Sequence, residues 1–203
     1  MTTRAYRGAA RAEAAEQTRA RIVTAAAALL REAGVAGFSL ESVANAAGVS
    51  RLTVYNQLGS RRALLEAVFD ELASRGGLHR IGAALADPDP VASLRRLIGI
   101  FCDFWSLDLG SMASLHGAAS GDTDFAESLG ARNERRRETM SVVVRRLVER
   151  GVVRTRASAD LVDMLFVLTS LAVFTQLMVG KRSKAAVRKL IEAAAEDAVR
   201  RAG

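Results

Sequence analysis

Eight hydrogen-bonding side chains, Ser39, Ser50, Arg51, Thr53, Tyr55, Asn56, Gln57 and Arg61, crowd into the stretch SLESVANAAGVSRLTVYNQLGSRRAL at residues 39–64. They are donors and acceptors of the kind that grip phosphates and base edges. The residues needed for bond-making chemistry are scarce by comparison. The chain has two histidines, His79 and His116, and one cysteine, Cys102. It has no H-E-x-x-H, no G-x-S-x-G, no metal-ligand spacing and no phosphate-binding glycine loop, so no enzyme, metal or cofactor is expected.

Local chemistry says how those side chains are positioned. Ser39 can cap a helix through its hydroxyl, Glu41 favours the first turn, and Val43 is its inward apolar residue. Gly48 can take the left-handed conformation that stops the helix, with Val49 filling the gap beside it. Ser50 opens a second helix to Leu58, with Val54 and Leu58 on one face. At about 1.5 Å per residue it would run roughly 13 Å, against a DNA major groove roughly 12 Å wide. Arg51, Thr53, Tyr55, Asn56 and Gln57 are left to point outward, and Ser60 opens a further helix at Arg61. Two short helices about a tight turn make a helix-turn-helix, whose expected partner is double-stranded DNA.

AxxAGVSxxTVYNxxxSRRALLEAV at residues 44–68 resembles the tetracycline-repressor-like (TetR) family of bacterial transcription regulators: an AGVS turn, a T-x-Y recognition helix and an S-K/R-x-x-L entry to the fourth helix. The likeness spans about residues 18–75, because TRARIVTAAAALLREAGVAGFSLESVA also resembles the family's first helix, G-x-x-G-F/Y loop and second helix. By this resemblance and by outward placement, Ser39, Ser50, Tyr55, Asn56 and Arg61 should contact mainly phosphates. Arg51, Thr53 and Gln57 are the candidates for base edges. Two positions depart from the family's pattern, Leu52 where a small residue is usual and Leu58 where an aromatic is. Leu58 can fill the core, whereas Leu52 either touches a thymine methyl or packs inward.

Composition agrees with these readings. The 203 residues are 50% hydrophobic with two prolines, and 29 Lys+Arg against 22 Asp+Glu give a net charge of +7, suited to a polyanion. One cysteine excludes an intrachain disulfide, and no apolar secretory core opens the chain, so a cytoplasmic protein is expected. LVDMLFVLTSLAVFTQLMVG, residues 161–180, approaches bilayer-spanning length, but Asp163 and Gln176 interrupt it. A buried helix is the reading adopted, and no membrane partner is expected.

The expected fold is all-α, with about nine helices. Residues 1–16, carrying Arg4, Arg7 and Arg11 among alanines, read as a mobile basic arm. Residues 17–75 form the helix-turn-helix domain with its linking fourth helix. Residues 76–203 form a helical effector-binding and dimerisation domain, entered through Gly76-Gly77 and Asp87-Pro88-Asp89-Pro90. Within it, Asp124 to Arg150 reads as a long amphipathic helix with an arginine-rich outer face, and 158–179 and 183–201 as the last two helices. Phe101, Phe104, Trp105, Met112, His116, Met140 and Phe166 are either ordinary core or the lining of an apolar ligand cavity, the latter favoured by the resemblance. Asp103, Ser106, Asp108 and His116 could orient a ligand. The last two helices carry apolar surfaces suited to a homodimer.

These readings converge on a repressor released from a palindromic operator by a small, largely apolar effector. The alternatives are an architectural DNA-binding protein without effector, or a helical lipid or ligand carrier.

Overall fold

A computed structural model describes the backbone of residues 3–203, and side chains from residue 9 onward. Among these residues the regular structure is entirely helical, with eleven α-helices and two 3-10 turns at Leu78–Arg80 and Thr155–Ala157. The chain divides into two compact units, Met1–Glu71 with Asp108–Leu129, and Leu72–Leu107 with Gly130–Gly203. Residues 108–129 therefore group with the helix-turn-helix, and not with the rest of the C-terminal segment as the sequence boundaries have it.

The first unit contains α1 (Thr3–Ala33), α2 (Leu40–Ala47), α3 (Arg51–Leu58), α7 (Leu109–Ala119) and the opening parts of α4 (Arg61–Arg75) and α8 (Thr123–Glu149). Ile22, Ala26 and Leu30 recur at helical spacing on α1 and are fully buried, as are Val43, Val54, Leu64, Leu65 and Val68. α1 is the hub, packing on α2, α3 and α7. The α7 contact explains the regrouping. Ser111 Oγ donates to Ala27 O at 3.0 Å and Ser114 Oγ to Leu30 O at 2.8 Å, while Gly110 lets α7 close on Arg31.

The basic arm expected over residues 1–16 is helical from Thr3 as part of α1, with residues 9–17 exposed. Alanine, arginine and glutamate have high intrinsic helix propensity, so turns can extend from the packed part of α1 without an apolar face. Residues 1–2, and the side chains of Arg4 and Arg7, lie outside the described residues.

The second unit contains α5 (Ile81–Leu85), α6 (Pro90–Leu107), the remainder of α8, α9 (Ser158–Leu168), α10 (Leu171–Met178) and α11 (Lys184–Ala202). Leu97, Ile98, Phe101 and Phe104 of α6 and Met140, Val143 and Leu147 of α8 are buried. The helix expected over 158–179 is two helices bent by 51°. The break lies at Thr169-Ser170, where the Ser170 side chain accepts from Val173 N and caps α10. Trp105 Nε1 donates to Thr169 O at 2.8 Å and ties α6 to that break. Among the described residues no single helix is long and apolar enough to cross a membrane.

Cys102 sits in the apolar part of α6 at 6% exposure, and burial pushes its thiol up to about 12. A thiol is nucleophilic as the thiolate, so Cys102 should be inert in the folded chain. A thiol-specific reagent at about pH 8 should label the urea-unfolded chain once and the native protein far more slowly. Equal rates for the two would place Cys102 at the surface.

Candidate nucleic-acid interface

The turn between α2 and α3 is closed by reciprocal backbone and side-chain bonds. Ser39 Oγ accepts from Ser42 N at 3.0 Å and Ser39 N donates to Ser42 Oγ at 2.9 Å, a capping box in which serine replaces the usual acidic partner. Gly48 ends α2 at φ +64°, and Val49 N reaches back to Ala44 O at 3.0 Å. Ser50 then caps α3 by accepting from Thr53 N at 3.0 Å. These caps engage the acceptor side of Ser39 and Ser50. Each hydroxyl keeps a proton, and both residues are exposed, so either can still donate to a phosphate.

On α3, Val54 and Leu58 are buried, while Arg51, Leu52, Tyr55 and Asn56 are exposed. These four fall at spacings of one and four residues and form one outward stripe. Thr53 and Gln57, candidates for base edges, are half-buried at its margins, with Thr53 Oγ1 bonded to Ser50 Oγ at 2.8 Å. Leu52 is 66% exposed and Tyr55 57%. Of the two placements open to Leu52, the structure has the outward one.

Arg61 is more committed than its sequence position implies. Its guanidinium lies 5.6 Å from the Phe38 ring centroid, Nε donates to Phe38 O at 3.4 Å, and Nη1 is 3.7 Å from Asp122. Arg62 beside it is exposed and pairs with Asp124 at 2.9 Å. Arg19 Nη1 donates to Gln57 O at 3.0 Å and holds the C-terminal end of α3 to α1.

The proposed effector residues fall into two groups. Phe101, Phe104, Trp105, Met140 and Phe166 belong to the second unit and Met112 and His116 to the first. The Phe104 and Trp105 rings lie with centroids 4.5 Å apart, tilted by 41°. His116 Nδ1 lies 2.9 Å from Met112 O, so that nitrogen carries the proton. The polar groups considered for orienting a ligand have structural partners: Asp103 pairs with Arg80 at 2.8 Å, Ser106 Oγ donates to Asp103 O, and Asp108 caps α7 through Ser111 N.

Sequence reasoning missed Arg136, assigned to the outer face of α8. It is 7% exposed, and its guanidinium lies 4.0 Å from the Phe166 ring centroid. Burial, with a smaller contribution from Arg137, pulls its pKa down to about 10. Its spacing from Leu129, Met140 and Val143 was the available signal, since these positions share the inward face of α8.

On α9 and α11, Leu161, Met164, Leu168, Ala194, Ala198 and Ala202 line a groove of about 430 Å³. Of the apolar residues on these two helices, Leu165, Val187 and Ile191 are buried within the second unit, as is most of Leu161, and are not part of an outward surface. Met164, Val167 and Leu190 are the large apolar side chains left exposed there.

Residues 22–68 match the model of the tetR family of bacterial regulatory proteins. The HTH-type transcriptional regulator TtgR of Pseudomonas putida is 32% identical over 87 residues, which cover 42% of this chain and 41% of that relative's length. Among solved structures, the TetR-family regulator PfmR of Thermus thermophilus has a TM-score of 0.67 at 24% identity, covering 89% of this chain and 94% of that one. A transcriptional regulator of Rhodococcus sp. has a TM-score of 0.69 at 18% identity, covering 91% and 97%. At such identities the structural likeness establishes the fold alone.

If the caps set the angle between α2 and α3, Ser39→Ala should lower stability by about 1 kcal/mol in a denaturant melt. Gly48→Ala should cost about 1–2 kcal/mol, because an alanine at that φ meets its own carbonyl. Melts unchanged by both substitutions would show that the turn is held by other contacts.

Proposed function

Because this chain belongs to the tetR family of bacterial regulatory proteins, we propose that it represses transcription as a homodimer on a palindromic operator and is released by a small effector. The observation that carries the DNA reading is the outward stripe of α3, where Arg51, Leu52, Tyr55 and Asn56 stand exposed on a helix the length of a major groove. Arg51 suits a bidentate contact with guanine, while the hydroxyls of Tyr55, Ser39 and Ser50 suit phosphates. The net charge of +7 supplies the sequence-independent attraction.

The groove on α9 and α11 supports dimerisation. Ala194 and Ala198 permit close approach of a second copy, and the half-exposed Met164 gives it an apolar anchor. Two-fold symmetry then requires inverted half-sites spaced by about one DNA turn, roughly 34–36 Å, or a multiple of it. Release follows from differential binding. An effector that favours a conformer with badly spaced recognition helices weakens DNA binding by that preference, typically about 1–3 kcal/mol. The chain crosses between the units at residues 71/72, 107/108 and 129/130, so α4, the α6–α7 link and α8 are the covalent routes for the change. The domain reading that goes with this proposal has residues 17–75 as the DNA-binding head and 76–203 as the effector and dimer domain, with α7 docked on the head.

Footprinting on the DNA flanking the protein's own gene should reveal a protected palindrome. Arg51→Ala should relax base preference at one position of each half-site by about 1–3 kcal/mol, whereas Tyr55→Phe should weaken all sequences alike. Unchanged affinity in both variants would rule out α3 as the reading helix. Met164→Glu combined with Ala194→Glu should sediment as a folded monomer with poor operator affinity. A dimer surviving both changes would move the interface elsewhere.

A further inference from the structure

Arg136 is a buried cation that protein contacts leave unbalanced. It is 7% exposed, and the one charged side chain that perturbs it is another cation, Arg137. The nearby acid, Asp163, is paired with Arg137. The five N–H donors of Arg136 are unequally used. Nη1 donates to Phe166 O and to Thr169 Oγ1, the latter at 3.0 Å, and so closes the C-terminal end of α9. Nη2 reaches Asn133 Oδ1 only at 3.4 Å, and among the described residues Nε has no hydrogen-bond partner. Nε–H and the adjacent Nη2–H are the parallel pair that holds both oxygens of a carboxylate.

Capping α9 accounts for Nη1 and for nothing on the other edge. A neutral glutamine could donate to a helix-end carbonyl without the desolvation cost of a buried charge. A guanidinium at this position, with its two-donor edge open and the Phe166 ring against it, suits an anion from outside the chain.

We infer that the Nε and Nη2 edge of Arg136 binds the carboxylate of a small molecule with an apolar or aromatic body, Asn133 and Phe166 flanking the head group. This rests on the reading of the chain as an effector-responsive regulator and gives that effector a charged end, where sequence reasoning expected a largely apolar molecule. One unpaired cation balances a monoanion. A phosphate dianion would leave a surplus negative charge buried beside an arginine already matched by Asp163, so carboxylate is the favoured chemistry. The guanidinium remains charged at neutral pH even with its pKa at about 10.

Calorimetry and thermal shift on the full chain would test this with phenylacetate, 4-phenylbutyrate and octanoate, each beside its matching alcohol, and with phenyl phosphate. At least one carboxylate should bind the wild-type chain at least about tenfold tighter than its alcohol and tighter than phenyl phosphate. Arg136→Gln should erase that preference while leaving alcohol binding in place. Asn133→Asp should also erase it by filling the edge from within, with helix content by circular dichroism unchanged, and it serves alone if Arg136→Gln does not fold. The site is overturned if no carboxylate outbinds its alcohol, if phenyl phosphate binds tightest, or if a folded variant of either kind keeps the preference. Operator binding without ligand is measured separately: a chain that prefers carboxylates but retains no operator keeps the Arg136 site and loses the regulator reading.

Discussion

Each α-helix leaves four N–H and four C=O groups without intrahelical partners, and a chain whose described residues form eleven helices faces that demand at each break. At the N-termini the answer is local. Ser39, Ser50, Ser60, Asp108, Ser170 and Ser183 each accept from a backbone N–H three residues on. At four C-terminal ends a long-range donor adds to it. Arg19 donates to Gln57 O at the end of α3, Arg146 to Leu85 O at the end of α5, Lys184 to Ser106 O near the end of α6, and Arg136 to Phe166 O near the end of α9. Each such contact joins one helix's end to the side of another, so saturating backbone carbonyls and fixing helix angles become one event.

This changes the meaning of the basic composition. Four of the cations behind the net charge of +7 donate to carbonyls at helix ends, and one of them, Arg136, is buried. Arg51 on α3 is exposed, and among the described residues no hydrogen bond or ion pair engages it. The same competition bears on Ser39 and Ser50, where one hydroxyl both caps a helix and faces outward. On the proposed reading, a phosphate contact from such a residue would be rigidly placed, because the cap already fixes the side-chain rotamer.

Where punctuation and periodicity agree, the sequence was legible. Ser39, Gly48, Ser50 and Ser60 mark the ends of α2, α3 and α4 because each residue type has one strong local use, and the long α8 follows from its apolar period. The break at Thr169-Ser170 was not legible, since Ser170 sits inside a continuous apolar run and its cap competes with helix continuation only when Trp105 and Arg136 bind the freed groups. The docking of α7 was hidden for a related reason. Glycine, serine and alanine on its contacting face carry little apolar signal, yet their small size is what admits hydrogen bonds to α1. Arg136 escaped notice because residue type outweighed position.

The serines of α7 bond to main-chain carbonyls of α1, at Ala27 and Leu30, and not to its side chains. A joint made to the backbone is indifferent to much of the sequence it touches. Over evolutionary time the exposed side of α1 can drift without disturbing this attachment, provided the helix persists and the α7 residues facing it, Gly110 among them, stay small. The joint thus resembles a standard fitting, kept while the surface of the helix it grips is rewritten.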